Sequence, residues 1–456
     1  MKKLLIYHNK SKSTDRRILE PTDYHSLWNE YRNDKGNSGN KLWLQTIVQC
    51  LTSPDIVYDY LTDGLTSEVI NSEYDAIIAP RGNMFGIDRI YTELQRLTNE
   101  FKKIRIPIYI VGVGAQAPDY KDINWLYLNI KKDAADFINT VYETGGEFGL
   151  RGYFTKELFD KLGFKDAAVI GCPSMYQMGK NLTVQNSKVA RNDFKPLLNG
   201  NIRYLQYPKI EKVFNDHKDS VFMDQDQFIE ILYSSEFQEK NNMSKKNIKE
   251  LMNKYSTAGI NLLCEGRIKL YYDVPTWFNF ITQRGYNFSF GQRIHGNIAP
   301  ILNGIPAVVH YHDSRTRELA EFFNIPMIDK IPKNKDLYDI YLDADYTRFN
   351  KEFESKFENF KNFLAKCNIT ESTDNKEAFK KIQNNIVFDE PIIINQQFID
   401  KLSGLTTVVS VKRMAEGIKI KEHLKILLSI ALPYSVRHLL IRFKQTIVAK
   451  KYKYHQ

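Results

Sequence analysis

Cysteine is scarce in this chain of 456 residues. Cys50, Cys172, Cys264 and Cys367 stand far apart with no Cys-x-x-Cys pair, which excludes a disulfide framework and a zinc ribbon and suits a reducing cytosol. Long hydrophobic runs are missing as well. The opening Leu4-Leu5-Ile6-Tyr7-His8 is too short for a signal peptide and reads as a first buried strand. With 23 Gly and 15 Pro there is no collagen-like or linker-like excess, and no repeat period marks a solenoid. What is present is 43% hydrophobic and 26% charged residues, enough to bury two or three cores of ~150 residues each and to exclude a disordered chain.

The net charge of +10 suggests a nucleic-acid partner until it is located. Residues 411–456 hold eleven Lys or Arg against Glu416 and Glu422, so nine of the ten units sit there and the preceding 410 residues are nearly neutral. Ile418, Leu424, Leu427, Leu428, Leu439 and Ile441 interleave with those charges, yet the longest apolar run falls far below the ~20 residues that span a bilayer. The pattern predicts a basic amphipathic tail lying on an anionic membrane surface, with Tyr452 and Tyr454 near the interface. A helix pair docked on the body with a solvated basic face is the alternative. Nucleic acid is not expected, because no aromatic stacking platform accompanies the charge.

The first part of the chain alternates β-branched runs with helical periodicity. Strands are predicted at 4–8, 56–60, 75–79, 108–113, 148–150 and 168–170, and helices at 41–51, 87–103, 123–142 and 153–162. A polar, basic stretch near 185 introduces a second unit. Its predicted strands are 202–205, 260–263, 287–290 and 307–311, and its helices 245–255, 275–284, 294–302 and 315–323. The expected organisation is two Rossmann-like α/β domains, 1–185 and 186–345, a connecting segment 346–405 opened by a long aromatic helix at 346–367, and the tail 406–456. That helix carries Phe349, Phe353, Phe357, Phe360 and Phe363 on one face and should pack back across both domains. Two such domains face one another across a cleft at the carboxyl ends of their strands, where ligands bind.

The richest segment runs from Ser289-Phe290-Gly291-Gln292-Arg293-Ile294-His295-Gly296-Asn297 to Gly304-Ile305-Pro306. A strand ends at a glycine, and Arg293 and His295 open a helix whose free N–H groups and positive dipole end favour an anion. An Arg and a His satisfied at a helix cap would give the same spacing. Gly112-Val113-Gly114 lacks the third glycine of a dinucleotide fingerprint, so no nicotinamide cofactor is expected. His310 and His312 alternate on a strand beside Asp313, a set that reads more readily as a hydrogen-bonded rim than as a metal site.

Arg293-Ile294-His295 followed by Gly304-Ile305-Pro306 resembles the hallmark of the polysaccharide pyruvyl transferase family. Further pieces follow in the family's order: Gly36-Asn37-Ser38-Gly39-Asn40, Arg81-Gly82-Asn83-Met84-Phe85, Gly112-Val113-Gly114-Ala115-Gln116, Phe148-Gly149-Leu150-Arg151-Gly152 and Gly171-Cys172-Pro173-Ser174. The last is similar to a Gly-Asp-Pro turn. The resemblance covers about residues 30–330. It implies a fold like that of two-domain (GT-B) glycosyltransferases and an enzyme moving the pyruvyl group of phosphoenolpyruvate onto two sugar hydroxyls, as a ketal, in capsular or exopolysaccharide assembly.

On that resemblance His295 is the expected general acid/base, and Arg293 and Arg151 the clamp for a donor carrying phosphate and carboxylate. Arg315, Gly114, Gln116, Gly296 and Asn297 belong to the donor side, and Asn37, Asn40 and Asn83 to the acceptor side. Arg315 stands where the family usually has Lys, and Asn40 where it has Asp. No cofactor beyond phosphoenolpyruvate and no metal is expected. The partners are a glycan acceptor, lipid-linked in this reading, and the inner face of the plasma membrane. Two alternatives stay open. One is a glycosyltransferase of the same shape using a nucleotide sugar, for which Glu265 and Tyr272 are weak candidates, and the other a noncatalytic membrane-recruited scaffold.

Overall fold

The computed structural model describes residues 1–8, 37, 39–51, 53, 55–62, 64–117, 122–225, 259, 261–262, 265–270 and 274–369. The predicted helix at 245–255, Tyr272 and the whole basic tail lie outside the described residues. The described residues all fall in one compact unit.

The first sheet takes β1 (Lys2–Ile6), α1 (Gly39–Leu51), β2 (Ile56–Tyr60), α2 (Ser67–Glu73), β3 (Ala76–Pro80), β4 (Asn83–Phe85), α3 (Gln95–Phe101), β5 (Ile108–Ala115), α4 (Ile123–Glu143), β6 (Glu147–Leu150), α5 (Tyr153–Lys161) and β7 (Ala168–Val169). Its order is β2-β1-β3-β5-β6-β7, with β4 paired to β5 off this path and every pair parallel. Helices on both faces explain why β3 and β5 are buried along their whole length and show no polar alternation.

The second sheet is built from β8 (Pro196–Asn199), α6 (Pro208–Asp216), β9 (Val221–Asp224), β10 (Ile268–Leu270), α7 (Val274–Gln283), β11 (Phe288–Gly291), α8 (Ile294–Leu302), β12 (Ala307–His310), α9 (Ser314–Phe323) and β13 (Met327–Ile328). Its parallel order is β10-β9-β8-β11-β12-β13. The short α10 (Leu337–Asp343), closed by an Asp336/Asp339 capping box, and the long α11 (Thr347–Lys366) follow.

The direction of winding reverses between β1 and β3 in the first sheet and between β8 and β11 in the second. In open parallel sheets such reversals leave a crevice at the strands' carboxyl ends. The residues that leave these four strands are His8, Arg81, Gly200 and Gln292 with Arg293.

The two strands expected at 202–205 and 260–263 are corrected. Residues 202–206 form a 3-10 turn and residues 261–262 are helical, while the strands sit at β8, β9 and β10. The turn wins because Asn201 caps it, its side chain accepting from Arg203 N at 3.1 Å. The predicted helix at 87–103 is broken into a 3-10 turn (Ile87–Arg89), a π turn (Ile90–Leu94) and α3. Leu94, Leu97 and Phe101 still share one buried face.

Helix α11 does pack back as its periodicity predicts. Phe360 stacks on Tyr176 at 4.7 Å between ring centres, Tyr346 exchanges hydrogen bonds with both backbone groups of Ala307 in β12, and Lys366 pairs with Glu147 of β6 at 2.8 Å. Each buried phenylalanine on such a face contributes about 1.5–3 kcal/mol.

Candidate active site

Both crossover points open into one cleft of about 340 Å³. The first lobe lines it with His8, Asn37, Asn40, Trp43, Arg81 to Met84, Arg89, Glu93 and Arg151, and the second with Gln225, Gln292 to His295, His312, Arg315 and Thr316. Five arginines face a lining whose sole carboxylate among the described residues is Glu93, so the cleft favours an anion.

Arg151 follows β6, its N–H donating to Val113 O at 2.8 Å, and is 5% exposed. Its Nη1 donates to Asn83 Oδ1 at 3.0 Å, which orients the guanidinium and ties the expected acceptor-side Asn83 to the clamp. Two glycines seat it. A Cβ on Gly114 would lie 3.2 Å from Arg151 Cδ, and one on Gly82 3.6 Å from Nη2.

Arg293 is the N-cap of α8, and Asn199 Oδ1 accepts from its backbone N–H at 2.9 Å. Asn297, fully buried one turn on, accepts from Ser289 Oγ at 2.9 Å and donates to Gly291 O and Arg293 O. It therefore holds the Arg-x-His turn from behind. Gly296 lets Asn199 approach, since a Cβ there would lie 2.6 Å from the Asn199 side chain.

Arg315, in the first turn of α9, lines the cleft but spends part of its fork on Asp313, to which its Nε donates at 2.7 Å. Asp313 is meanwhile the N-cap of that helix, accepting from Thr316 N at 3.0 Å. Asn37 accepts from Gly39 N at 2.9 Å and Asn40 from Trp43 Nε1 at 3.5 Å, so both open α1 at the mouth of the cleft.

His295 lies between the start of α1 and the turn at Cys172. A Cβ on Gly39 would come within 2.8 Å of its Cβ, and its Nε2 lies 3.6 Å from Cys172 Sγ. Burial, together with the positive charge of Arg151, pushes its pKa down to about 3, so the ring is neutral at physiological pH.

Gly114, Gln116, Gly296 and Asn297, expected on the donor side, do not line the cleft. The Gly112-x-Gly114 segment is no phosphate loop. It lies inside β5, where Gly112 at φ +75° carries a bulge against β6 and a Cβ would strike the Pro173 ring at 2.8 Å. His310 has both ring nitrogens engaged, by Tyr204 Oη at 2.7 Å and Asp329 O at 3.1 Å, which makes it the hydrogen-bonded rim its spacing suggested. Glu265 pairs with Arg267 at 2.9 Å.

Sequence reasoning missed His8, Trp43, Arg81, Arg89, Glu93, Gln225, Gln292 and His312 as lining residues. The first-sheet crossover could have pointed to His8 and Arg81. Glu93 was masked by its position in an apparently regular helix, and the π turn is what brings it within 4.0 Å of Arg81.

Behind the cleft, Glu318 of α9 crosses to the first lobe. Its carboxylate accepts from Thr155 N at 2.6 Å and from Thr155 Oγ1 at 3.0 Å, so it caps α5 from the opposite lobe. Gly152 leaves room for it, since a Cβ there would lie 2.3 Å from Glu318 Cγ. Burial pushes the carboxyl pKa up to about 7 despite those hydrogen bonds and Arg151. The folded state therefore keeps a proton that the unfolded chain releases near pH ~4.3, and stability from this group falls as pH rises between those values. Urea unfolding should show wild-type protein losing about 2–3 kcal/mol more than Glu318→Gln between pH 5 and 8. Equal slopes would remove Glu318 from the pH dependence.

A family model described as polysaccharide pyruvyl transferase matches residues 3–314. The comparison with curated proteins finds no match. Among solved structures, a Listeria monocytogenes chain described as a UDP-N-acetylglucosamine 2-epimerase is 14% identical, with 84% of this chain and 95% of that one covered and a TM-score of 0.34. The MnaA–UDP structure from S. aureus is 11% identical, with 87% and 100% covered and a TM-score of 0.34.

Proposed function

The chain belongs to the polysaccharide pyruvyl transferase family, and on that premise we propose that its cleft takes phosphoenolpyruvate as donor and forms a ketal on two hydroxyls of a surface-polysaccharide sugar. The observation that carries this reading is the convergence of Arg151, Arg293 and Arg315 with His295 on one cavity of about 340 Å³. A donor bearing a phosphate and a carboxylate calls for several planar cationic forks, and Arg supplies them.

Chemically, a proton adds to the methylene carbon and the first hydroxyl oxygen bonds to the adjacent carbon. Phosphate then leaves as the second oxygen takes its place. Of the two hydroxyl protons released, one balances the new methyl group and the other leaves with phosphate. His295 is the residue placed to move them, and Asn37, Asn40 and Asn83 offer hydrogen bonds to acceptor hydroxyls. Thermal denaturation with phosphoenolpyruvate or a panel of nucleotide sugars tests the donor. A ligand at 100 times its dissociation constant adds about 2.7 kcal/mol. Stabilisation by a nucleotide sugar alone would overturn the assignment.

The tail belongs to the same proposal. Nine units of positive charge on residues 411–456 suit attachment to an anionic membrane on which a lipid-linked acceptor is carried. Among the described residues no helix is long and apolar enough to cross a membrane. Deleting 411–456 should release the protein from anionic vesicles, and full-length binding should weaken as salt rises. A truncated protein that stays vesicle-bound would refute the anchor.

A further inference from the structure

The turn Gly171-Cys172-Pro173-Ser174 places a thiol, and no carboxylate, against the His295 ring. Cys172 is fully buried, as is Ser174, whose hydroxyl donates to Cys172 Sγ at 3.0 Å. With Ser174 as donor to the sulfur, the thiol proton has His295 Nε2, 3.6 Å away, as its polar neighbour. A ring that accepts at Nε2 carries its proton on Nδ1.

The charged groups near that ring do nothing to protonate it. Arg151 repels an imidazolium, and Arg293 on the same turn is a second cation. Arg315 and His312 line the same cleft, α1 contributes Gly39 and Asn40, and Glu93 is 4.0 Å from Arg81.

Building on the donor reading above, we propose that Cys172 is a positioning residue that holds the resting His295 ring in its Nδ1-protonated tautomer until an anion enters the cleft. The anion neutralises the arginines, and the ring then takes a proton from solvent. The new proton sits on Nε2 beside Cys172 Sγ and the Nδ1 proton goes to the methylene carbon, whose double-bond electron pair becomes the new C–H bond while the ring returns to neutral with its proton on Nε2. A carboxylate at position 172 would remove this dependence by favouring the charged ring without any anion.

The test is nitrogen NMR of the full chain labelled in its histidines, with the His295 signals assigned by their loss in His295→Gln. In wild-type protein without anion, the His295 ring should stay neutral, with its proton on Nδ1, from pH 5 to 8. Saturating inorganic phosphate should raise its proton affinity about a hundred- to thousandfold, the upper part of the effect of an opposite charge at ~4–6 Å, and bring its titration to the lower end of that range. Cys172→Asp should titrate there with no phosphate added. Cys172→Ala, which removes the contact without adding charge, should leave the ring neutral but populate both tautomers.

A wild-type ring that titrates between pH 5 and 8 without anion, a titration that phosphate does not move, or a Cys172→Ala ring that keeps a single Nδ1 tautomer overturns the proposal. Turnover is not the readout, so the donor reading stands or falls separately. A protein that shows this pattern yet never consumes phosphoenolpyruvate refutes that reading and the proton delivery to its methylene carbon, and supports only the tautomer and anion dependence proposed here.

Discussion

Replacing His295 by Ala should cut pyruvyl transfer by about 100- to 10,000-fold while phosphoenolpyruvate still binds with nearly unchanged affinity. The free-state ring is neutral, so it adds no charge that would hold a trianionic donor, and its removal leaves Arg151 and Arg293 in place. The loss should therefore appear in kcat and not in KM. Acceptor-dependent phosphate release at varied donor concentration gives both quantities, and protection from thermal denaturation by phosphoenolpyruvate gives the donor affinity directly. Wild-type turnover in the variant would remove His295 from the chemistry. Lost donor protection would recast it as a binding residue.

The opposite division is expected for the arginines. Arg151→Lys and Arg293→Lys keep the charge but lose the planar fork, and each should weaken donor binding about tenfold to a hundredfold, the worth of a charged hydrogen bond at ~1.5–3 kcal/mol. The Arg151 change should be the larger. Its guanidinium is aimed by Asn83 and by the space over Gly82 and Gly114, and an ammonium on a flexible stem uses none of these. Donor affinity unaltered in both variants would place the anion clamp elsewhere.

Much of the lining of this candidate site is legible in the sequence. Arg293 and His295 stood out because a strand ending in glycine, a basic residue and a histidine opening a helix are local features, and α8 begins and ends where its periodicity predicts. Arg151 was legible from the family's motif order and Asn83 from the same comparison. What stayed hidden depends on contacts distant in sequence. Gly114 and Gln116 looked like donor-side residues because a Gly-x-Gly spacing suits a tight anion loop as well as a bulged buried strand. Nothing local tells the two apart until Pro173 and Arg151 are seen to fill the space those glycines leave. The strand β10 escaped because three residues are too few to show a period, and β8 because it opens on a proline and closes on an asparagine, which read as loop. Glu318 escaped for another reason: on its own helix it is one of two acidic residues, with Glu321, and its role is visible only once Thr155 lies against it.

That last contact reaches beyond the cleft. The first turn of α5 borrows its acceptor from a helix more than 150 residues later in the chain, and Ala117 N likewise donates to Ser314 Oγ at 3.1 Å. Neither half can be separated from the other with its hydrogen bonding complete. A fragment stopping near residue 190 would carry an uncapped α5, and the remainder would carry a buried carboxylate suddenly exposed to water. The two sheets are therefore a poor pair for modular exchange between relatives, because a lobe transplanted alone brings half of a clasp with it. The natural unit for recombination, and for cooperative unfolding, is the pair.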